Sequence, residues 1–148
     1  DTLLLAVNRI YPDAAAKDIE IALEAEEAGG ELILPHDAKW LSEAFLNVLE
    51  NAVKYSPAHS TVTMRMIRMN VFLRIEIEDE GIGIPKAEWN QIFRRFYRGA
   101  SGEVQSTPGS GVGLYLARSI VVEHHGTLTV KETGKGCGSR FVFQLPYE

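Results

Sequence analysis

The sequence predicts a two-layer α/β sandwich, in which three helices cover one face of a mixed sheet of about five strands. Short stretches in which apolar and polar residues alternate, bounded by glycine, proline or asparagine, are typical of strands buried on one side. Longer stretches carry an apolar residue every three or four positions, which is the period of a helix packed on one side. Because both kinds of stretch are mixed along one chain, we expect the helices and the sheet to bury their apolar faces against each other.

The chain has 148 residues, which fits one domain spanning residues 1–148. At this length a folded chain buries about 68–70% of the surface that its unfolded form exposes, enough for a core without cross-links. Cys137 is the only cysteine, which excludes an internal disulfide or a thiolate metal cluster and favours a reducing cytoplasm. Because the chain begins inside a helical pattern and without an initiator Met, we expect it to be a piece of a longer protein.

The charge balance limits the kinds of partner. The net charge is −5 at pH 7, which argues against a broad surface for nucleic acid. The local basic run of Arg94, Arg95 and Arg98 can still face the phosphates of a small ligand. No apolar stretch approaches the length needed to span a membrane and no signal peptide is visible, so we expect this part of the protein to lie in the cytoplasm.

The first elements are a helix and two strands. Residues 2–16 have helical spacing, but Pro12 belongs near a helix start or a break, so we expect a short helix with an irregular turn. Residues 18–25 alternate as a half-buried strand that ends in a glycine-rich turn. Residues 32–34 are predicted to form a second, short strand.

The strongest helical pattern follows, from Leu41 to Pro57. Its apolar stripe recurs every four residues and predicts a core face. Asp37 is placed to cap the start of this helix, and Ser56 with Pro57 ends it.

A polar line runs along the flank of the same helix. Glu43, Asn47, Asn51 and Tyr55 recur every four residues, with Lys54 beside them. Asparagine has poor helix propensity because its side chain competes for backbone hydrogen bonds. A pair of asparagines one turn apart therefore indicates a functional surface, and two tolerated surface amides remain the alternative at this point.

The next two strands form a hairpin that leads to a glycine-rich turn. Residues 62–66 and 71–78 alternate, and Met69 with Asn70 connects them. Continuing the alternation places Asp79 on the apolar face. A buried carboxylate must be hydrogen-bonded, so it needs a donor from the protein or from a ligand. The glycines that follow permit positive φ and a close approach of a ligand to the backbone.

The last third of the chain contains a long irregular segment and a second glycine-rich stretch. Residues 86–93 read as a short helix, whereas residues 98–110 are small and polar without any period. An irregular segment of about a dozen residues in a compact domain is usually a functional lid or disordered. Glycines at 109–113 then open a helix that runs to about His125, and such a helix start suits phosphate.

The end of that helix is expected to carry its own stop signals. His124 and His125 suit the helix dipole as a C-terminal cap, an interpretation we weigh above metal binding. Gly126 would supply the left-handed stop. Residues 127–132 and 139–145 read as the final strands.

Four motifs in a fixed order resemble the ATP-binding catalytic domain of sensor histidine kinases. They are the N box LNVLENAVKYSP, the first glycine box DEGIGIP, the F box IFRRFYRG and the second glycine box GSGVGLYLARSIVVEHHG. The same superfamily includes DNA gyrase B, the heat-shock chaperone ATPase and mismatch-repair ATPases. The resemblance runs from about Leu3 to Pro146 and implies the Bergerat ATP-binding fold, a sandwich of the predicted kind.

The resemblance implies a site for Mg-ATP on the central helix and the hairpin end. Asn51 would coordinate Mg²⁺, and Asn47 would support the metal and the phosphates one turn earlier. Lys54 would reach phosphate, and Tyr55 would stack near the adenine. Asp79 would accept a hydrogen bond from the exocyclic amine of the base.

The glycine boxes and the lid would complete the site. Gly81, Gly83 and Ile84 would line the base pocket, and Phe96 would contribute to nucleotide binding. The phosphates would be cradled by Gly109, Ser110, Gly111, Val112, Gly113 and Leu114. The residues expected to carry catalysis are Asn47, Asn51, Lys54, Arg95 and Arg98, the two arginines approaching the phosphates from the lid side.

The residue at position 47 separates a kinase from a hydrolase. In the ATPases of this superfamily the corresponding N-box residue is Glu, which activates water as a general base. The amide of Asn47 cannot accept a proton, so ATP would be held for another acceptor. The resemblance therefore implies a protein histidine kinase that transfers the γ-phosphoryl group to a histidine.

The resemblance implies that this histidine lies on a separate dimerisation hairpin, supplied in cis or in trans, where an acidic residue follows it. His59, His124 and His125 lack that context, and His36, although Asp37 follows it, immediately precedes the N-box helix and is read as a loop residue. Further expected partners are ATP and a cognate response regulator, with no nucleic acid, and the isolated domain is expected to be monomeric. Family habit places the parent sensor kinase in the cell membrane. The alternatives are an ATPase or an anti-sigma serine kinase of the same fold, or a degenerate nucleotide-sensing interaction module.

Overall fold

The computed structural model describes residues 2–25, 37–95, 113–133 and 137–147. In chain order they form α1 (Thr2–Ala16), β1 (Glu20–Ala25), α2 (Ala38–Tyr55), β2 (Thr61–Arg68), β3 (Phe72–Glu78), a 3₁₀ turn (Lys86–Glu88), α3 (Gly113–Glu123), β4 (Thr127–Lys131) and β5 (Arg140–Pro146). The strand predicted at residues 32–34 and the irregular segment at residues 98–110 lie outside the described residues. None of the helices in the described ranges has the length and apolar character needed to cross a bilayer.

The strands form one sheet of five, in the order β1-β2-β3-β5-β4. β1 pairs with β2 in parallel, and the other neighbours pair antiparallel. A parallel pair needs a long crossover, which the chain segment containing α2 provides between β1 and β2. The predicted mixed sheet of about five strands, with helices packed on one face, is confirmed.

The core lies between the sheet and the helices. α2 packs beside both α1 and α3, and its apolar stripe faces the inward residues of the sheet. The rings of Phe45 on α2 and Phe143 on β5 meet edge to face, with centroids 5.0 Å apart. On β3 the alternation is as predicted, since Leu73, Ile75 and Ile77 are buried. This packing fixes α2 against the end of β3, where the candidate site lies.

The irregular turn predicted for the first helix is wrong. α1 continues through Pro12 without a break. A proline inside a helix leaves one carbonyl in the preceding turn without its N–H partner. Here both Pro12 and Asn8 are exposed, so water can satisfy that carbonyl. The buried stripe of the helix consists of Leu3, Ala6, Ile10 and Ala14.

Both ends of α2 are capped. The side chain of Asp37 accepts a hydrogen bond from the backbone N–H of Trp40 at 3.2 Å, which confirms the predicted N-cap. At the other end, the Nζ of Lys17 donates to the carbonyl oxygens of Val53 at 2.8 Å and Ser56 at 2.5 Å. A cation on the last carbonyls of a helix satisfies groups that the helix cannot pair internally. The turn that ends α2 is therefore held by Lys17, the residue that follows α1.

The stop signal after α3 differs from the prediction. The residue with left-handed φ is His125, at 64°, and not Gly126. Gly126 is needed for space, because a Cβ there would lie 2.3 Å from the carbonyl oxygen of Gln144 on β5. The predicted capping role holds for His124, whose Nδ1 lies 2.8 Å from the carbonyl oxygen of Ile120.

The face of the sheet away from the helices, called the open face below, carries arginines and glutamates that cover one another from water. Glu76 and Glu78 point away from the helices, as the alternation predicts, yet both are buried. They are covered by arginines of β2, β3 and β5. We name this group the arginine-glutamate cluster, and its members are Glu24, Arg65, Arg74, Glu76, Glu78 and Arg140.

Candidate functional site

Asp79 is the centre of the site. It follows β3 directly, points toward the helix side as predicted, and is only 5% exposed. Its Oδ1 accepts hydrogen bonds from the backbone N–H groups of Gly81 at 2.9 Å and Ser139 at 3.1 Å. Its Oδ2 accepts one from the hydroxyl of Ser139 at 3.0 Å. The donor that a buried carboxylate requires therefore comes from the protein itself.

These surroundings set the charge state of Asp79 and its remaining capacity to bind. Burial raises the pKa of its carboxyl above the ordinary value, the hydrogen bonds from Gly81 and Ser139 lower it in part, and the charge of Glu78 raises it. A carboxylate offers about four lone-pair sites. Among the described residues Oδ2 has one donor, so it can accept a hydrogen bond from a ligand as well.

Glycines hold the backbone around Asp79 in close contact. A Cβ on Gly81 would lie 2.5 Å from the carbonyl oxygen of Tyr55, so this glycine lets the turn after β3 touch the end of α2. Gly83 has a φ of 77° and Gly138 one of 79°, which favours glycine at both positions. The predicted pair Gly81 and Gly83 thus lies beside Asp79, and Gly138 joins them from the loop before β5.

An open cleft of about 350 Å³ lies where α2 ends and the turn after β3 begins. It is lined by Lys54, Tyr55, Ser56, Pro57, Glu80, Gly81 and Ile82. Three of the predicted site residues, Lys54, Tyr55 and Gly81, are among them. Ile84 lies on the same turn and packs, half-buried, against the core.

The two asparagines of α2 lie near the start of α3. Both Asn47 and Asn51 are half-buried. A Cβ on Gly113, the first residue of α3, would lie 3.9 Å from the Oδ1 of Asn47. The structure thus brings the N box and the second glycine box together.

Arg95 and Leu114 also lie at this end of α3. The guanidinium of Arg95 is 5.5 Å from the ring centroid of Tyr115, which places its charge beside the first turn of the helix. Leu114 is half-buried against the core. The predicted residues Phe96, Arg98, Gly109, Ser110, Gly111 and Val112 lie outside the described residues, and their roles stay predictions.

Two residues that contact Asp79, Ser139 and Gly138, were not predicted from the sequence. Ser139 is buried and makes two of the three hydrogen bonds to Asp79. The alternation of β5 contained a signal for it, since Phe141, Phe143 and Leu145 are inward and Ser139 shares their parity. A polar residue at an inward-facing position of a strand needs a buried hydrogen-bond partner, as Asp79 does.

Replacing Ser139 with alanine is expected to raise the pKa of Asp79 further. The substitution removes the hydroxyl that donates to Oδ2 and keeps the backbone N–H that donates to Oδ1. Losing such a hydrogen bond should also lower the free energy of unfolding by about 1 kcal/mol. Carbon-detected NMR titration and urea unfolding measure the two effects. Ser119→Ala on the exposed side of α3 is the control, and an unchanged titration of Asp79 would contradict the assignment.

Comparison with known proteins places this site in a family. A family model described as histidine kinase-, DNA gyrase B-, and HSP90-like ATPase matches residues 36–148. The signal transduction histidine-protein kinase/phosphatase MprB of Mycobacterium sp. (strain KMS) is 40% identical over 114 residues, which are 74% of this chain and 22% of that protein. The sensor-like histidine kinase SenX3 of Mycobacterium tuberculosis is 33% identical over 141 residues, which are 95% of this chain and 33% of that protein.

A solved structure agrees with both relatives. A mycobacterial sensor histidine kinase MprB superimposes with a TM-score of 0.83 at 30% identity, covering 98% of this chain and 91% of that one. The chain spans between 22% and 33% of the length of the curated relatives. The family model extends from the residue before Asp37 to the last residue, and so includes all four motifs and Asp79. The chain belongs to the family of histidine kinase-, DNA gyrase B- and HSP90-like ATPases.

Proposed function

We propose that residues 1–148 are a single catalytic domain that binds Mg-ATP and transfers its γ-phosphoryl group to a histidine on a separate dimerisation hairpin of a sensor kinase. The observation that carries this proposal is Asp79, a buried carboxylate with acceptor capacity left on Oδ2, which directly precedes two residues that line an open cleft, Glu80 and Gly81. The relatives named as histidine kinases support the choice of acceptor.

The base would bind at Asp79. The exocyclic amine of adenine has an N–H that can donate to Oδ2, whereas guanine presents a carbonyl oxygen at the corresponding ring position and would face a negative charge. Tyr55 and Gly81 line the adjacent cleft, where an aromatic ring and a bare backbone suit a flat base. Selection of adenine would follow from this one acceptor.

The phosphates would bind toward Asn47, Asn51 and Lys54. Neither asparagine amide has a hydrogen-bond partner among the described residues, so their oxygens are available as hard ligands. Magnesium usually binds one or two protein oxygens together with substrate phosphates and waters. The amide oxygens of Asn47 and Asn51, one helix turn apart and both half-buried, are a donor set of this kind. When bound, the ion would neutralise charge on the phosphates.

Transfer to a histidine is favoured over hydrolysis by the surroundings of Asn47. A hydrolase needs a carboxylate at this position to activate water. The carboxylate one turn before it, Glu43, is paired with Arg9 of α1, and Glu50 is exposed on another side of α2. With no general base in place, ATP would persist until an acceptor histidine is presented.

The wider setting follows from the same proposal. The acceptor hairpin would come from the same kinase, in cis or in trans, and a cognate response regulator would then receive the phosphoryl group. We propose that the isolated domain is monomeric, acts in the cytoplasm and does not bind nucleic acid. The parent would be a membrane sensor kinase.

Asn51→Ala is expected to remove the magnesium dependence of nucleotide binding. Calorimetric titration with a non-hydrolysable ATP analogue, with and without Mg²⁺, should show micromolar binding by the unchanged chain, strengthened by the metal. The variant should keep the weaker binding seen without Mg²⁺ and gain nothing when Mg²⁺ is added, because its metal ligand is gone. Asn70→Ala in the exposed β2-β3 turn is the matched control.

The same proteins, mixed with the parent hairpin and ATP, test the transfer itself. We expect an acid-labile phosphohistidine on the hairpin with the unchanged chain and none with Asn51→Ala. No nucleotide binding at all would remove the proposal and leave the degenerate module. Release of inorganic phosphate without the hairpin would favour the ATPase alternative.

A further inference from the structure

The arginine-glutamate cluster reaches the residue next to Asp79. Glu78 is 3% exposed, and its Oε1 lies 2.9 Å from the Nε and 2.8 Å from the Nη2 of Arg140. Arg65 approaches the same oxygen with its Nη1 at 3.3 Å. A buried carboxylate needs such partners, because an uncompensated buried charge costs several kilocalories per mole.

The cluster and the candidate site share one pair of strands. Glu78 of β3 lies opposite Arg140 of β5, and the next residues, Asp79 and Ser139, are joined by a backbone hydrogen bond of 2.9 Å. Since successive side chains of a strand point to opposite faces, the first pair lies on the open face and the second faces the helices. Each contact therefore helps to hold the other in register.

The two carboxylates also interact through their charges. A like charge disfavours ionisation of a neighbouring carboxyl, and buried charges are little screened by salt. The ionisable groups that surround Asp79 are Glu78 and Glu80 beside it, Arg140 on β5, Arg65 on β2, and Lys54 and Tyr55 at the end of α2. The cluster itself is balanced, with three arginines for three glutamates.

We propose that Arg140, by pairing with Glu78, keeps Asp79 ionised and correctly placed to accept the hydrogen bond of a bound base. Arg140 is thus a positioning residue that acts from the far side of the sheet without touching the ligand. This inference rests on the proposed function for its meaning in the cell, but its electrostatic part concerns the free chain. It also gives the buried charges of the open face a role beyond stability.

Base binding should depend on pH through the ionisation of Asp79. Asp79 accepts the hydrogen bond when ionised, so base binding is present above its pKa and lost as the pH falls through it. Burial already raises that pKa, and the charge of Glu78 raises it as well. When Arg140 is removed, Arg65 still lies 3.3 Å from Glu78, so Glu78 keeps its charge but that charge is less compensated, and the pKa of Asp79 should rise. Removing the charge of Glu78 should lower it.

The test is a carbon-detected NMR titration of the Asp79 carboxyl in the ligand-free chain. Arg140→Met should move the midpoint up, and Glu78→Gln should move it down. The double variant Glu78→Gln with Arg140→Met should have a midpoint at or below that of the unchanged chain. Arg9→Met, which removes an exposed arginine of α1, is the matched control and should leave the midpoint unchanged.

The double variant separates charge from structure. It removes the ion pair as completely as Arg140→Met does, so a purely structural role predicts the same midpoint for both. That result, or no shift with Arg140→Met, would overturn the inference. If Arg140→Met does not fold, the inference is tested with Glu78→Gln alone. An Asp79 midpoint that stays the same or rises in this variant would overturn the inference.

Nucleotide titrations across pH complete the test. The pH at which half of the binding is lost should follow the NMR midpoint from variant to variant. If the unchanged chain binds no adenine nucleotide at any pH, the proposed function fails while the titration of Asp79 still judges the role of Arg140. If it binds and Arg140→Met keeps the same pH dependence, the proposed function stands and this inference fails.

Discussion

Replacing Asp79 with asparagine should remove most of the affinity for adenine nucleotides while leaving the fold at least as stable. The asparagine oxygen can accept the N–H groups of Gly81 and Ser139, and its NH₂ can donate to the Ser139 hydroxyl. That NH₂ would then face the exocyclic amine of the base, and because both groups are donors, no hydrogen bond can form between them. A hydrogen bond to a charged group is worth about 1.5–3 kcal/mol, so affinity should fall roughly ten- to a hundredfold.

The gain in stability should depend on pH. Burial raises the pKa of Asp79 in the folded chain, so the unchanged chain loses stability as the pH rises through that pKa, and the asparagine variant does not. Urea unfolding at a series of pH values should show the difference growing from acid to neutral pH. Asp13→Asn on exposed α1 is the control. An asparagine variant that binds nucleotide normally, or that is less stable at neutral pH, would refute the role given to Asp79.

Gly138→Ala should destabilise the chain by about 2–5 kcal/mol, because it combines an unfavourable backbone conformation with a steric overlap. The φ of Gly138 is 79°, and a Cβ there would lie 2.0 Å from the carbonyl oxygen of Asp79. For a chain of this size the melting temperature should fall by roughly 5–15 °C. Nucleotide binding should weaken as well, since the displaced atom belongs to the backbone of Asp79.

Gly113→Ala is the matched comparison for this prediction. The nearest atom to its new Cβ would be 3.9 Å away, and the position opens a helix, where alanine is favoured. The melting temperature of this variant should stay the same or rise. Equal losses in both variants would mean that the contact between Gly138 and Asp79 does not limit stability.

Much of this architecture could be predicted because it depends on local sequence patterns: the alternation of strand residues, helix-capping residues and short motifs. The alternation of β3 correctly predicts that Asp79 faces inward, and Asp37 correctly predicts the start of α2. The order of the four motifs predicts a nucleotide site formed by α2, the turn after β3 and the start of α3. Within the described residues, Lys54, Tyr55 and Gly81 line one cleft, and Asn47 meets Gly113, as that order implied.

The missed features depend on contacts between distant parts of the chain. Ser139 and Asp79 are 60 residues apart, and only the register of β3 against β5 joins them. The same register places Arg140 against Glu78, so Glu78 is buried in an ion pair although it lies on the face of the sheet away from the helices. The need for glycine at position 126 likewise comes from the backbone of β5 and not from its own turn. Single-strand patterns specify which face a residue takes but not which neighbours cover it.

The hydrogen bonds from Lys17 to the end of α2 show that residues before the matched family region contribute to the candidate site. The family model starts at residue 36, yet Lys17 holds the carbonyls of Val53 and Ser56, at the turn that carries Lys54 and Tyr55. A protein shortened to the shared region would also lack β1 and leave the edge of β2 bare, and an uncovered strand edge invites association with other chains. We therefore expect a protein shortened to residues 36–148 to be less stable and more prone to associate than the chain with α1 and β1.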